Sequence, residues 1–287
     1  MEHLKWDRRP PSLRKPVLVC SFSGWNDAAS SASTAITTLA DSLPVERVAS
    51  IDPEDFFDFQ TTRPMISVSD GVHRRIEWPA NEIFVGRSEA ADRDVVLLNG
   101  TEPGLKWRTF SETVVEAARE LGVESVVVLG ALIAEVAHTM PVPITGVASD
   151  PELAEGLDLE KANYEGPTGI VGILLEYCRR EGLPSLSLWA AVPHYVAGVP
   201  NPKAALALSE RLERVTGIAA DNSGLEEETL DYEEQIGKAV AADPEVQELV
   251  SRIEEQQRER TETGGEMPSG DSIAMEFQRF LRQRESE

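Results

Sequence analysis

Residues 16–35, PVLVCSFSGWNDAASSASTA, decide the fold that this sequence predicts. The apolar run at 17–20 is too short for a helix, and its lack of polar alternation is typical of a strand buried on both faces of a parallel sheet. Gly24 permits a turn that a Cβ atom would obstruct, and Asn26 or Asp27 can cap the helix that follows. Ligands of open α/β sheets usually bind at such strand ends, which makes site candidates of Gly24, Trp25, Asn26 and Asp27.

The turn at Gly24 allows more than one interpretation. A helix N-terminus attracts anions, so a phosphate site is one of them. However, the stretch contains neither a dinucleotide-binding fingerprint nor a P-loop, and the carboxylate of Asp27 would repel an anion there. A capped strand–helix turn without chemistry is therefore favoured over a catalytic loop.

The alternation of strands and helices continues along the chain. Apolar runs predict strands at 45–51, 94–98, 125–129, 144–148 and 186–195, and helices at 107–121, 170–180 and 202–217. Thr168 is expected to cap the second of these helices and Asn201 the third, with Pro202 in its first turn. Strand–helix–strand spacing of this kind requires right-handed crossovers, so the sheet is expected to be largely parallel.

One segment departs from that rhythm. Alternating apolar residues at 65–78 flank Asp70-Gly71, a pair that suits the type I′ turn of a β-hairpin. Within an α/β protein such a hairpin is either an ornament at the sheet edge or an arm that contacts another subunit. His73 follows the turn and is expected to be exposed to solvent.

The composition narrows the class of protein. The chain has 287 residues, of which 41% are hydrophobic, and 27 basic against 50 acidic residues give a formal net charge of −23. So large a negative charge argues against nucleic acid or an anionic membrane as a partner. No apolar run is long enough to span a bilayer, and the first residues lack the apolar core of a secretory signal. Cys20 and Cys178 are expected to be buried apolar side chains without a disulfide, which fits a cytoplasmic protein.

The last 67 residues differ from the rest in composition. They hold 19 acidic and 7 basic residues, a net charge of −12, and their apolar residues are sparse. The pattern predicts two amphipathic helices that meet at Asp243-Pro244, then a flexible joint at 261–270 and a final helix that begins at Asp271 or Ser272. We therefore expect an α/β domain at 1–220 and an acidic helical extension at 221–287.

Three motifs together resemble one known family. They are Gly24-Trp-Asn-Asp-Ala28, Tyr164-Glu-Gly-Pro-Thr-Gly169, and Ser187-Leu-Trp-Ala-Ala-Val-Pro-His-Tyr195 followed by Asn201-Pro-Lys203. In this order and spacing they resemble the PAC2 family, named after the proteasome assembly chaperone 2 subunit, over residues 14–218. The acidic helical tail is similar to that of the bacterial, actinobacteria-like branch of the family.

The resemblance implies a fold and a way of working. It implies a three-layer α/β/α sandwich similar to phosphorylase- and hydrolase-like folds, with the C-terminal helical extension added to it. It also implies self-association or pairing with a related subunit, and the phosphorylase-like fold suggests a trimer. Relatives in eukaryotes and archaea are chaperones of proteasome assembly, and some archaeal relatives end in a hydrophobic-Tyr-any motif that docks into proteasome pockets. This sequence ends Arg282-Gln-Arg-Glu-Ser-Glu287, without a penultimate tyrosine, which argues against direct proteasome activation.

An enzyme with a pocket at the strand ends is the alternative hypothesis. Phosphorylase-like folds bind anions and sugars there with main-chain N–H groups, arginine, histidine and carboxylates. His194 would be the acid–base group because imidazole titrates near neutral pH, with Glu135 or Glu102 as its carboxylate partner. Arg108 and His138 are further candidates. The candidate ligand pocket consists of Gly24, Trp25, Asn26, Asp27, Thr101, Glu102, Glu135, Thr168, Gly169 and His194.

The patterns for particular chemistries are nevertheless incomplete. Glu135 and His138 lack an identifiable third metal ligand, the sequence has no nucleophile elbow, and neither cysteine lies beside a base. We therefore predict no metal or other cofactor. The favoured hypothesis is a cytoplasmic protein that acts through protein contacts, as an assembly chaperone or scaffold. The alternative is a hydrolase or transferase of a small nucleoside-like or carboxylated metabolite.

Overall fold

A computed structural model describes residues 3–8, 11–69, 73–150 and 166–262. Most of its strands belong to one sheet of eight strands, and two others form a separate hairpin. The strands are β1 (Leu4–Trp6), β2 (Val17–Ser23), β3 (Val45–Ile51), β4 (Met65–Ser69), β5 (His73–Glu77), β6 (Asn81–Arg87), β7 (Asp94–Thr101), β8 (Ser125–Ala134), β9 (Ile144–Ala148) and β10 (Ser185–Pro193). Their order in the large sheet is β1-β3-β6-β7-β2-β8-β10-β9.

The centre of the sheet is parallel, as predicted. Strands β7, β2, β8 and β10 run in one direction, while β6 and β9 flank them in the antiparallel direction. Strand β3 is antiparallel to β6 and therefore runs with the central four. The carboxyl ends of these five strands lie at the same edge, which we call the carboxyl edge.

Helices cover both faces of the sheet and give the three-layer α/β/α sandwich. Along β2, Val17 and Val19 point to one core and Leu18 and Cys20 to the other, since successive side chains of a strand face opposite ways. Helices α1 (Ser31–Asp41) and α4 (Pro202–Thr216) cover the first core, and α2 (Trp107–Glu120) and α3 (Ile170–Arg180) cover the second. The uniformly apolar run is thus explained by burial on both sides.

Strand β8 is longer than predicted. The sequence places its end at Gly130, but the strand continues to Ala134. A Cβ atom at position 130 would lie 2.5 Å from Cε3 of Trp189, which belongs to the neighbouring strand β10. Gly130 is therefore the residue that lets an indole ring lie across the strand, and it does not end the strand.

The predicted hairpin is confirmed as β4 and β5, which pair only with each other. Its turn at Asp70-Gly71 lies outside the described residues. The hairpin connects β3 to β6, so it leaves the sheet at the carboxyl edge, and Trp78 at its base packs edge to face on Phe59 at 4.8 Å. His73 is exposed, as predicted. We call the hairpin the arm.

The chain continues after α4 into the two predicted amphipathic helices, α5 (Ser223–Ala242) and α6 (Pro244–Glu262). They separate at Asp243, whose carboxylate accepts a hydrogen bond from the N–H of Glu245 at 3.0 Å. Both helices pack on the loop after β8 through an apolar cluster that includes Val240, Val250, Ile253 and Ala137. The predicted final helix from residue 271, and the predicted joint beyond Glu262, lie outside the described residues.

Both cysteines are buried and free, as the sequence predicts. Burial raises the pKa of the Cys178 thiol to about 12, so that thiol stays protonated at neutral pH and is a poor nucleophile. None of the helices in the described part of the chain combines the length and the apolar character that a membrane span requires.

Candidate functional site at the carboxyl edge

The turn between β2 and α1 has the features predicted for it. Gly24 has a φ angle of 126°, a conformation that side chains with a Cβ atom rarely adopt. One carboxylate oxygen of Asp27 accepts hydrogen bonds from the N–H groups of Ala32 at 2.7 Å and Ser33 at 3.3 Å. Asp27 therefore caps α1, which satisfies N–H groups that have no partner within the helix.

Main-chain hydrogen bonds tie this turn to its neighbours. The carbonyl of Asn26 accepts from the N–H of Ala131 in β8 at 2.8 Å, and the carbonyl of Ala29 accepts from Asn201, just before α4, at 3.0 Å. Ala29 and Ser30 have φ angles of 52° and 54°, a left-handed conformation that costs a residue other than glycine about 1–2 kcal/mol. The surrounding contacts hold the turn in this strained shape.

Glu102 joins three elements at the carboxyl edge. It follows β7, and its Oε1 accepts hydrogen bonds from the side-chain amide of Asn26 at 2.6 Å and from the N–H of Ile170 at 3.0 Å. The second bond caps α3, so the prediction that Thr168 caps this helix is wrong. The N-cap position is Gly169, which has no side chain to accept a bond, and a carboxylate from another strand replaces it.

Asn26 and Gly169 pack tightly against each other. Asn26 is 1% exposed. A Cβ atom on Gly169 would lie 2.9 Å from Nδ2 of Asn26 and closer still to its Oδ1. The Oδ1 atom is buried and has no hydrogen-bond partner among the described residues. The asparagine amide therefore fills the space that a side chain at position 169 would need.

Three other candidates lie around this cluster. Trp25 is 54% exposed, and Thr168 is also exposed. The hydroxyl of Thr101 is 3.4 Å from that of Ser23 across the β2–β7 pair. The structure thus brings the Gly24 turn, Thr101, Glu102 and Gly169 to one place on the carboxyl edge.

Glu135 and His194 lie elsewhere on the same edge. Glu135 is exposed in the loop after β8, and His194 is partly buried directly after β10. The ring of His194 meets that of Tyr195 edge to face at 5.5 Å, and its Nδ1 has no hydrogen-bond partner among the described residues. Among the described residues, no hydrogen bond joins His194 to Glu102 or Glu135. The ligand pocket that would combine them stays a prediction.

A small pocket that the sequence did not indicate lies between the loop after β8, the end of β10, and α5. The hydroxyl of Tyr195 accepts a hydrogen bond from the N–H of His138 and lies 2.8 Å from Nδ1 of the same residue. Lys203 donates to the carbonyl of His138 at 2.6 Å. Burial, with the charge of Lys203, lowers the pKa of His138, so its ring is neutral at neutral pH. The buried hydroxyl of Tyr232 lines the pocket without a described partner.

The polar side chains of these two clusters mostly bind other groups of the same protein. In the Glu102 cluster, one carboxylate oxygen is occupied by an amide and a helix N–H, which orients three elements. In the His138 cluster, the imidazole and the ammonium group both bind other protein groups. Within the described ranges, no set of three or more His, Cys, Asp or Glu side chains is arranged to hold a metal ion.

The carboxyl edge is also where apolar side chains meet solvent. Among the described residues, nine large hydrophobic side chains are exposed, and eight of them lie on segments that leave this edge. They are Trp25 after β2, Leu105 after β7, Val199 after β10, and Met65, Ile66, Val68, Ile76 and Trp78 of the arm. Exposed apolar side chains concentrated on one side of a protein are typical of a surface that binds another protein.

The buried carboxylate of Asp27 gives a test based on pH. Burial raises its pKa and outweighs the hydrogen bonds from Ser33 and Ala32, so the folded chain holds this proton more tightly than the unfolded chain. The contribution of Asp27 to the stability of the wild type should therefore fall as the pH rises from about 3.8 through the raised pKa. We expect the stability of D27N, measured by urea unfolding, to rise relative to that of wild type across that window.

The exposed Asp41 at the end of the same helix provides the control variant D41N. If the stability difference between D27N and D41N does not change with pH, Asp27 is not the penalised carboxylate.

The fold and the edge together define a class of protein. It is an α/β/α sandwich whose strand-end turns are tied by hydrogen bonds and surrounded by exposed apolar side chains. The sequence profile of the PAC2 family matches residues 21–240. The chain belongs to the PAC2 family.

Solved structures agree with this assignment. A PAC2 family protein from Streptomyces avermitilis is 49% identical, with a TM-score of 0.76, over 82% of this chain and 99% of that one. A proteasome-assembly chaperone homologue from Mycobacterium tuberculosis is 42% identical, with the same TM-score and the same coverage. An archaeal proteasome activator from Pyrococcus furiosus is 16% identical with a TM-score of 0.65, over 83% of this chain and 99% of that one, so it shares the fold alone. No protein of curated function matches the sequence.

Proposed function

We propose that this protein works through protein–protein contacts made at its carboxyl edge, as an assembly chaperone or scaffold. The single observation that carries the proposal is the position of the large apolar side chains that are exposed: of the nine in the part of the chain that the structure describes, eight lie on segments that leave that edge. Burying such side chains against a partner gains roughly 25 cal/mol per Å² of apolar surface. The names of the relatives, which include a proteasome-assembly chaperone homologue, support the same kind of work.

The bonds within the Glu102 cluster support the proposal as well. Both hydrogen bonds accepted by Oε1 of Glu102, from Asn26 and from the N-terminus of α3, join parts of this chain to one another. In our proposal this cluster keeps the edge in one shape, and the apolar side chains around it make the contact. The partners are other copies of this chain, related subunits or other proteins, and the free cysteines support a cytoplasmic setting.

The arm offers the cleanest test because its two faces differ. Ile66 lies opposite Ile76 in the strand pair, so the two share a face, whereas Ser67 points to the other face. We expect I66D to weaken the capture of partner proteins from native extract by at least tenfold, since a charge then enters the contact. Ser67→Asp places the same charge one residue away on the opposite face and should capture as wild type does.

The melting temperature of both variants should equal that of wild type, because both positions are exposed. Cross-linked peptides from captured proteins should map to the carboxyl edge. If I66D captures the same proteins in the same amounts, or if the cross-links to proteins other than this chain map to the outer faces of the helices, the proposal fails. Stabilisation of the chain by a small metabolite would then favour the enzyme hypothesis.

A further inference from the structure

The ninth exposed hydrophobic side chain lies away from the carboxyl edge. Leu230 of α5 is 69% exposed, while Leu225, Tyr232 and Val240 form the buried side of that helix. Leu230 therefore does not hold α5 on the rest of the protein. Residues three and four positions away are its neighbours on the helix surface, and all four of them are glutamates. Glu233 pairs with Lys203 and Glu234 with Lys238, so the acidic side of the Leu230 surface is formed by Glu226 and Glu227.

The arm has the opposite pattern on one face. Ile66 pairs with Ile76 and Val68 pairs with Arg74, so these four side chains lie on the same face of the hairpin. That face is apolar with one cation in it. Arg75 points to the other face, where its guanidinium lies 3.8 Å from Glu77.

A hairpin of two strands gains little stability by itself in water, and an apolar face left in solvent adds a cost. In the single chain, Ile66, Ile76 and Leu230 all remain exposed. The apolar face of the arm carries the cation of Arg74, and in a chain whose net charge is −23 most surfaces of a second copy that this cation could meet are acidic.

We infer that the apolar face of the arm of one copy docks on the Leu230 surface of a second copy, with Arg74 among the glutamates that surround Leu230. Ile66 and Ile76 would cover Leu230, and the guanidinium of Arg74 would meet the carboxylates of Glu226 and Glu227. The inference rests on the proposed function, because it names the partner of one part of the contact surface.

The two surfaces are different, so the contact is heterologous. Such a contact gives a finite oligomer only if successive copies close into a ring. Each copy then uses its arm once and its Leu230 surface once. The apolar side chains of Trp25, Leu105 and Val199 at the carboxyl edge take no part and remain available for another protein.

A charge swap tests the pairing. The mass of the full chain is measured by sedimentation over a range of concentrations, for wild type, R74E, E227K and the variant that carries both changes. We expect wild type to form a closed oligomer, and each single change to weaken association about tenfold because like charges then meet. The double variant should recover most of the wild-type association, since the pair is restored with its signs exchanged.

Arg75→Glu is the matched control, with the same change of charge on the opposite face of the arm. It should associate as wild type does. A wild-type chain that stays monomeric at every concentration overturns the inference, and so does a double variant that remains as dissociated as the single ones. Neither result by itself overturns the proposed function, whose tests are the capture of proteins from extract by I66D and the positions of their cross-links.

Discussion

Replacing Gly169 with alanine is expected to lower the free energy of unfolding by about 2–3 kcal/mol, the cost of forcing an extra group into a packed site. The new Cβ atom would lie 2.9 Å from Nδ2 of Asn26 and closer to its Oδ1. Asn26 cannot move away easily, because its carbonyl binds Ala131 and its amide binds Glu102. The strain would therefore pass to the first turn of α3. Urea unfolding followed by tryptophan fluorescence measures the loss.

Gly198 provides the control for this change. It lies in the loop after β10, and a Cβ atom there would meet nothing within 4 Å. Gly198→Ala should leave the free energy of unfolding within about 0.5 kcal/mol of wild type. If the two alanine variants are equally stable, the packing between Asn26 and Gly169 is not as close as the structure has it.

Most of the strand and helix pattern of the chain could be predicted from local sequence, although β1 and β6 were not predicted. The apolar run at 17–20 has no polar alternation because both faces of β2 are covered by helices. Asp27 and Asn201 cap α1 and α4 as expected, Asn201 from the position directly before α4 and Asp27 from four positions before the first residue of α1. Such contacts join residues that are close in the sequence, and a sequence motif can therefore predict them.

The contacts that the sequence could not predict are made between distant residues. Thr168 is the natural cap by position, yet Glu102, which lies 68 residues before Ile170, accepts the bond. In the same way, Gly130 resembles a strand end in the sequence, whereas in the structure it gives room to Trp189 of the neighbouring strand. The pocket at His138 depends on Lys203 of α4 and Tyr232 of α5, which no local pattern connects.

The arm shows a further limit of pattern analysis. Alternation at 65–78 correctly predicts a hairpin, but it also suggests that one face is buried. In the single chain both faces are exposed. Alternating apolar and polar residues indicate which face of a strand is apolar. The surface that covers this face need not belong to the same chain. In this protein, the two described strands of the arm are not packed against the rest of the chain, and the arm is the segment for which we propose the contact.

The largest effect expected from a single side chain concerns Glu102. Replacing it with alanine removes the acceptor for the Asn26 amide and for the first N–H of α3, and leaves a buried amide without a partner. Hydrogen bonds to a charged acceptor contribute about 1.5–3 kcal/mol each, and an orphaned buried donor adds its desolvation cost. We expect E102A to lose about 3 kcal/mol of unfolding free energy in urea.

Glu102→Gln separates hydrogen bonding from charge. Its Oε1 can still accept both bonds, while the favourable interaction of a negative charge with the N-terminus of α3 is lost. We expect E102Q to lose about 1 kcal/mol or less of unfolding free energy, because a charge near a helix N-terminus contributes about that much. A double-mutant cycle with Asn26→Ala should give a coupling energy of about 1 kcal/mol, because the two side chains are in contact. Two results would show that Glu102 does not hold the turn and the helix together: E102A as stable as E102Q, or additive effects of the changes at Glu102 and Asn26. The main-chain hydrogen bonds to Ala131 and Asn201 would then determine the shape of the carboxyl edge.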